Sequence, residues 1–231
     1  MASKRVITFT ISSKPRVNTK ANTQTALRKA AGHLQRGELE AARQVAQDVV
    51  QAEPQNFDAL HLLGVIAGRN QQQAEAITLI GKALALKPDA QAYCNRAAAR
   101  LALQHHAKAL GDCDQAIALK PELAIAHCLR GHALAALKRD QEAFAAYDRA
   151  VALNPEYAEA WHHRGHTSLN LGLLQNAIAS YDRALALDPD YTEELINSGV
   201  LNPFSLTQTP QALEALKEHF YQKYVLSGEL V

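Results

Sequence analysis

The chain has 231 residues, of which 48% are apolar, 20% charged and only 6% aromatic. A formal net charge of +1 gives no basic excess, so we expect no nucleic-acid partner. Since no apolar run is long enough to span a bilayer, we expect no membrane partner either. Three cysteines make a poor disulfide framework and favour a reducing compartment, which we take to be the cytoplasm.

Residues 1–22 differ in composition from the rest of the chain. They contain five basic side chains and no acidic one, together with many Ser and Thr residues. This composition predicts a flexible, basic N-terminal tail. An organellar transit peptide is the alternative, because such peptides are basic and poor in acids. The stretch VITFTI at 6–11 argues against it, since it lacks the helical amphipathicity that a transit peptide requires.

From residue 23 onward the sequence repeats. A proline recurs every 33 or 34 residues, and each one follows an apolar stretch such as IALKP or VALNP. These marks define five units, 23–56, 57–89, 90–123, 124–157 and 158–191, with a partial unit at 192–200. The prolines are Pro54, Pro88, Pro121, Pro155 and Pro189; a small residue precedes them at Ala30, Gly64, Ala97, Gly131 and Gly165; and an alanine lies between at Ala42, Ala76, Ala109, Ala143 and Ala177.

Each unit predicts a pair of helices. In the unit 158–191, AEAWHHRGHTSLNLG predicts the first helix and LLQNAIASYDRALAL the second. Gly172 is expected to end the first helix, and Pro189 to stop the second. The small residue of each unit lies where the two helices would cross, since a longer side chain would hold them apart. Much of the apolar content is alanine, which predicts a core of closely approaching helices.

This pattern resembles the tetratricopeptide repeat family over roughly 23–200. The resemblance implies an all-α, right-handed solenoid of about five helix pairs. It also implies that the first helices line a concave groove in which a peptide segment binds, and that Trp161 packs the first helix against the second. The matching residues are Trp161, Gly165, Ala177, Tyr181, Ala184 and Pro189 in the last unit, and Gly131, Ala143, Tyr147, Ala150 and Pro155 in the fourth.

The expected groove can be read from equivalent positions of the first helices. Family members that clamp a peptide carboxylate use Lys, Arg and Asn at these positions. Here the positions hold mostly Leu, Cys, His and Ala, which disfavours a carboxylate clamp. The residues predicted to contact a partner are His61, Cys94, Asn95, Cys128, His132, Glu159, His162, His163, His166 and Asn197.

No metal site and no cofactor is assigned from the sequence. The groove nevertheless contains two pairs of side chains four residues apart, Cys128 with His132 and His162 with His166. Each pair projects from one helix face, so the four together could surround a zinc ion. The competing interpretations are a histidine-lined peptide pocket and a generic polar groove surface, because no dedicated metal motif is present.

The repeat fades in residues 201–231. Pro203 and Pro210 predict a turn, and QALEALKEHFYQKYVL then predicts a helix with one apolar face. We interpret this helix as a cap over the last unit, because a solenoid must cover its end. A docking helix for another subunit is the alternative. Oligomeric state stays open, since an uncovered end face could pair with a second copy.

Three functions fit these features. The first is a non-catalytic protein–protein interaction scaffold whose partner is another protein or a peptide segment. The second is the substrate-recognition arm of a glycosyltransferase-type enzyme whose catalytic part is absent from this chain, because the array also resembles the arm of protein O-GlcNAc transferases. The third is a metal-binding repeat protein. Catalysis is not expected, because the sequence has neither a phosphate-binding loop nor a nucleophile elbow.

Overall fold

The computed structural model describes residues 19–188 and Glu218, and the predicted all-α array of helix pairs is confirmed within them. The partial unit 192–200, Asn197, the segment 201–231 apart from Glu218 and most of the predicted tail lie outside the described residues. The five helix pairs are α1 (Thr19–Gln35) with α2 (Leu39–Ala52), α3 (Phe57–Arg69) with α4 (Gln73–Leu86), α5 (Ala90–Ala102) with α6 (His106–Leu119), α7 (Ala124–Ala136) with α8 (Asp140–Leu153), and α9 (Ala158–Asn170) with α10 (Leu174–Leu187).

The first helix is longer than predicted. It begins at Thr19, so residues 19–22 belong to α1 and not to the predicted tail. The sequence TKAN contains no Pro or Gly that would stop a helix there. The turn between α4 and α5 consists of residues 87–89, whereas the turn between α6 and α7 consists of residues 120–123. The shorter second unit therefore lacks one residue in a turn and none in a helix.

Each first helix ends in the same hydrogen-bonded turn. At the end of α7, Arg139 N–H donates to the Leu134 carbonyl at 3.0 Å, and Lys138 N–H donates to the Ala135 carbonyl at 2.9 Å. This is a Schellman motif, which requires a left-handed residue. Glycine supplies that conformation at only two of the five turns. The residues concerned are Gly37, Gln71, Gln104, Lys138 and Gly172, with φ values of 76°, 59°, 59°, 61° and 72°.

The small residue of each first helix lies against the second helix of the same unit. A Cβ atom added to Gly131 would lie 2.5 Å from Cε1 of Tyr147, so only glycine fits there. At Gly165 the added atom would lie 2.8 Å from Cδ1 of Tyr181. In the third unit an alanine, Ala97, shares a buried cluster with a smaller partner, Cys113. The size of the residue on one helix therefore matches the size of the residue opposite it.

Successive units stack mainly through the second helix of one unit and the first helix of the next, and their first helices also contact one another. Contacts join α1 to α3, α3 to α5, α5 to α7 and α7 to α9, and within the described part no pair of second helices makes contacts of that extent. The first helices therefore form the inner side of the array. We count the first residue of α3, α5, α7 and α9 as position one. The third position then forms a seam column of fully buried alanines, Ala59, Ala92, Ala126 and Ala160.

Ion pairs fix the first helices against the second helices. Asp112, which is only 3% exposed, accepts from Arg96 at 2.7 Å (Nη2 to Oδ1) and pairs with Arg100 at 2.6 Å (Nη1 to Oδ2). Arg130 and Arg164 instead reach back to the preceding unit. Their Nε atoms donate to Asp114 at 2.8 Å and to Asp148 at 3.0 Å. These arginines therefore hold helices together and do not form a free basic stripe.

The match in size at the helix crossings predicts the effect of Gly131→Ala. The added methyl group must displace the buried ring of Tyr147, which should destabilise the fold by about 1–3 kcal/mol. Gly111→Ala in α6 is the matched control, because its Cβ would meet nothing within 4 Å. That change should stabilise the protein by about 0.5–1 kcal/mol, since alanine is the better helix former. Denaturant unfolding measures both.

A second substitution, Tyr147→Cys, tests whether the Tyr147 ring causes the loss of stability in Gly131→Ala. Tyr147→Cys combined with Gly131→Ala reproduces the Ala97 and Cys113 pairing of the third unit. The cost of Gly131→Ala should therefore be smaller in the Tyr147→Cys background than in the wild-type protein, as a double-mutant cycle would measure. An equal cost in both backgrounds would contradict the steric explanation.

Candidate functional site

Three rows of side chains on the first helices remain accessible on the inner side of the array. They occupy the second, sixth and ninth positions, and every member is exposed or half-buried. We call them the groove rows. They are Asp58, Gln91, Ile125 and Glu159 at the second position, Leu62, Asn95, Leu129 and His163 at the sixth, and Val65, Ala98, His132 and His166 at the ninth.

The fifth position does not belong to the groove surface, contrary to the sequence-based expectation. Cys94 and Cys128 are 0% exposed, and His162 is 6% exposed. Cys94 packs with Ala126 of the seam column, and Cys128 packs with Ala160. Because the next first helix covers this position, Cys94, Cys128 and His162 do not offer their side chains to a partner. Only His61 of this row is half-buried.

A hydrogen-bonded group lies on the groove wall between α3 and α5. Asn95 Nδ2 donates to Nε2 of His61 at 2.8 Å, and Gln91 Nε2 donates to Oδ1 of Asn95 at 3.3 Å. Burial lowers the pKa of His61, although the carboxylates of Asp89 and Asp58 raise it in part. The neutral imidazole can then accept the hydrogen bond from Asn95. The adjacent depression of about 350 Å³ is lined by Val65, Gly68, Arg69, Gln73, Asn95 and Ala98, among others.

An aromatic cluster lies farther along the groove, between α7 and α9. The rings of His132 and His163 meet edge to face with centroids 4.3 Å apart, and His163 stacks on Tyr147 at 5.8 Å. Burial lowers the pKa of His132 to about 4. Burial also lowers the pKa of His163 to about 2, and the neighbouring imidazoles of His132, His162 and His166 add to that shift. His132 and His163 therefore present neutral imidazoles to this part of the groove.

The four residues considered for a zinc site do not come together. His162 is buried against His163 and Tyr181, and His166 is exposed. The ligand atoms that do converge are Cys128 Sγ, a His132 ring nitrogen and a Glu159 carboxylate oxygen, all within 4.8 Å of one another. Glu159 was expected to line the groove but not to face Cys128, because that proximity depends on how α9 stacks against α7.

Trp161 contacts both the preceding unit and the turn before its own helix. It is half-buried at the edge of the core cluster of the fourth unit, and its indole N–H donates to the Pro155 carbonyl at 2.9 Å. His127, at the equivalent place in the preceding unit, bonds the Pro121 carbonyl at 2.8 Å. Trp161 therefore fixes the turn that precedes its own helix and packs on the preceding unit.

Comparison with known families agrees with this architecture. Models described as tetratricopeptide repeat match residues 27–92 and 158–191, and one described as TPR repeat matches residues 131–172. The chain is a tetratricopeptide repeat protein. A search of curated proteins finds no match to it.

Solved structures with the same fold include other tetratricopeptide repeat arrays. MamA from Desulfovibrio magneticus RS-1, residues 41 to the end, superposes with a TM-score of 0.65 at 20% identity, covering 76% of this chain and 98% of that one. TTC0263 from Thermus thermophilus gives a TM-score of 0.62 at 23% identity, covering 76% and 96%. Within the described part of this repeat protein, none of the helices has the length and apolar character needed to cross a bilayer.

The burial of His61 predicts an acid-sensitive contribution to stability. Its folded pKa lies below the ordinary value of 6.5, so the unfolded chain binds more protons in the interval between the two values. The contribution of neutral His61 is therefore complete above about pH 7 and is lost as the pH falls below about 6.5 toward the folded pKa. The slope within that interval approaches about 1.4 kcal/mol per pH unit.

Comparison with His61→Gln isolates this contribution, because glutamine does not titrate and the other histidines are common to both proteins. Urea unfolding between about pH 8 and pH 5 should show a steeper loss of stability for the wild-type protein than for the variant. If the two proteins lose stability in parallel, the pKa of His61 is not lowered by folding.

Proposed function

We propose that the chain is a non-catalytic interaction scaffold and that its groove rows bind a segment of another protein. This proposal rests on the positions at which the units differ from one another. The seam column is alanine in all four units that begin with α3, α5, α7 and α9, whereas the ninth position changes from valine to alanine to histidine. The seam column is therefore the same in these four units, whereas the side chains of the groove rows differ from unit to unit.

The groove rows favour a peptide segment that has apolar side chains and no terminal carboxylate. Leu62 and Leu129 alternate with polar Asn95 and His163 along the sixth position. The nearby arginines, such as Arg96, are already bound to aspartates, so they do not serve as a clamp for a terminal carboxylate. We therefore propose an internal peptide segment as the occupant, held by amide and imidazole groups and by contacts with leucine.

The alternative of a glycosyltransferase recognition arm draws less support from the described residues. The repeat array resembles such an arm, but the arms of that family carry a repeated ladder of asparagines. Among the sixth positions of α3, α5, α7 and α9, only Asn95 is an asparagine. The free state of all three cysteines supports a reducing location, and we propose the cytoplasm.

Substitution of an exposed groove alanine tests this function. Ala98→Arg places a long cation in the depression beside Asn95 and should remove bound partners by steric exclusion. Ala145→Arg is the matched control, because it makes the same change at an exposed alanine of the second helix α8. Quantitative affinity capture with the three proteins should recover partners that bind the wild-type protein and the control but not Ala98→Arg.

A direct titration of a recovered partner then measures its affinity for each protein. The affinity for Ala98→Arg should be at least roughly tenfold lower than that for the wild-type protein, equivalent to about 1.4 kcal/mol. Thermal unfolding of both variants must match the wild-type protein for the comparison to apply. If every partner binds Ala98→Arg as well as it binds Ala145→Arg, the groove is not the binding surface.

A further inference from the structure

Three potential metal ligands converge at the junction of α7 and α9. Cys128 and His132 are four residues apart on α7, and Glu159 lies at the second position of α9. Cys128 Sγ is 3.8 Å from Nε2 of His132, and the same nitrogen is 3.7 Å from Oε1 of Glu159.

We propose that Cys128, His132 and Glu159 form a binding site for a divalent transition metal of the zinc class. Thiolate, imidazole and carboxylate are the ligands that zinc accepts, at about 2.3 Å for sulfur and 2.0–2.2 Å for nitrogen and oxygen. Tetrahedral geometry then separates neighbouring ligand atoms by roughly 3.3–3.6 Å. The distances of 3.8 Å from Cys128 to His132 and 3.7 Å from His132 to Glu159 need to contract by only a few tenths of an ångström, and the Cys128 sulfur lies within 4.8 Å of the Glu159 carboxylate.

The surroundings of the three ligands suit an ion that enters from the groove. Cys128 is the innermost of the three ligands and is 0% exposed, whereas the side chains of His132 and Glu159 are 21% and 43% exposed. The Tyr157 ring packs against the buried cluster that contains Cys128 and so helps to fix the position of that ligand. Three protein ligands leave the fourth coordination position open toward the groove.

Binding at this site is coupled to loss of one proton. Burial raises the pKa of Cys128 to about 12, so the metal-free site holds a thiol. Burial also lowers the pKa of His132, which is therefore already neutral and free to donate its Nε2 lone pair. The metal displaces the thiol proton to solvent and forms a metal–sulfur bond, with no change in oxidation state.

The array contains its own negative control. At the preceding junction, between α5 and α7, the equivalent positions hold Cys94, Ala98 and Ile125, which provide one ligand. Cys94 is as deeply buried as Cys128, yet no histidine or acid faces it from these positions. A response that belongs to the proposed site must therefore depend on Cys128 and must be independent of Cys94.

Titration of the untagged, metal-free full chain with Co²⁺ tests the proposal. We expect one equivalent to bind, with the ultraviolet charge-transfer absorption of a cobalt–thiolate bond and the visible bands of four-coordinate cobalt. One equivalent of Zn²⁺ should abolish both signals by displacement. The same amount of Zn²⁺ should raise the midpoint of thermal unfolding, because the ion binds the folded protein.

Four variants complete the experiment. Cys128→Ala and His132→Ala should lose the cobalt–thiolate signal, and Glu159→Gln should weaken cobalt binding at least roughly tenfold, since each removes a ligand. Cys94→Ala should retain the signal in full. Circular dichroism checks the fold of each variant, and Glu159→Gln decides the outcome if the buried substitution at Cys128 unfolds the chain. Absence of a thiolate signal in the wild-type protein, or its persistence in Cys128→Ala, would overturn the proposal.

Discussion

The close approach of neighbouring helices is the constraint on which the rest of this structure depends. Within a unit, Gly131 and Gly165 leave room for the rings of Tyr147 and Tyr181, which are almost fully buried. Between units, the alanines of the seam column let each first helix pack closely on both helices of the preceding unit. A close-packed interior tolerates little change in volume at such contacts. The spacing of the first helices is therefore set by small side chains, and this spacing fixes where every groove residue lies.

That spacing separates two kinds of position on the same helix. The third and fifth positions of the later units are covered by neighbouring helices, whereas the second, sixth and ninth stay accessible. Arg96 and Arg164 are held by aspartates and by Ser180, so the groove wall keeps little free positive charge. The same geometry brings Glu159 of one unit next to His132 of the preceding unit. Groove chemistry is thus a property of pairs of units and not of single units.

The sequence predicts the helix pairs well because its signals are local. Prolines, small residues at the crossings and alanine-rich faces repeat together, and each acts within one unit. The turn residues are less visible, since Lys138 adopts a left-handed conformation that a glycine would normally mark. The burial of Cys94 and Cys128 was missed because the fifth position faces the next unit, and His61 at the same position is only half-buried. Similarly, Cys128 and Glu159 are 31 positions apart in the sequence, and their meeting depends on how α9 stacks against α7.

Thiol reactivity of the native, metal-free protein is the most direct test of how the first helices pack. All three cysteines, Cys94, Cys113 and Cys128, are 0% exposed, and burial raises the pKa of each thiol. A disulfide reagent such as Ellman's should therefore find no rapidly reacting thiol in the folded chain and three in denaturant. Rapid labelling of Cys94 or Cys128 in the folded chain, located by peptide mapping, would show that the fifth position opens to the groove and would contradict the packing described above.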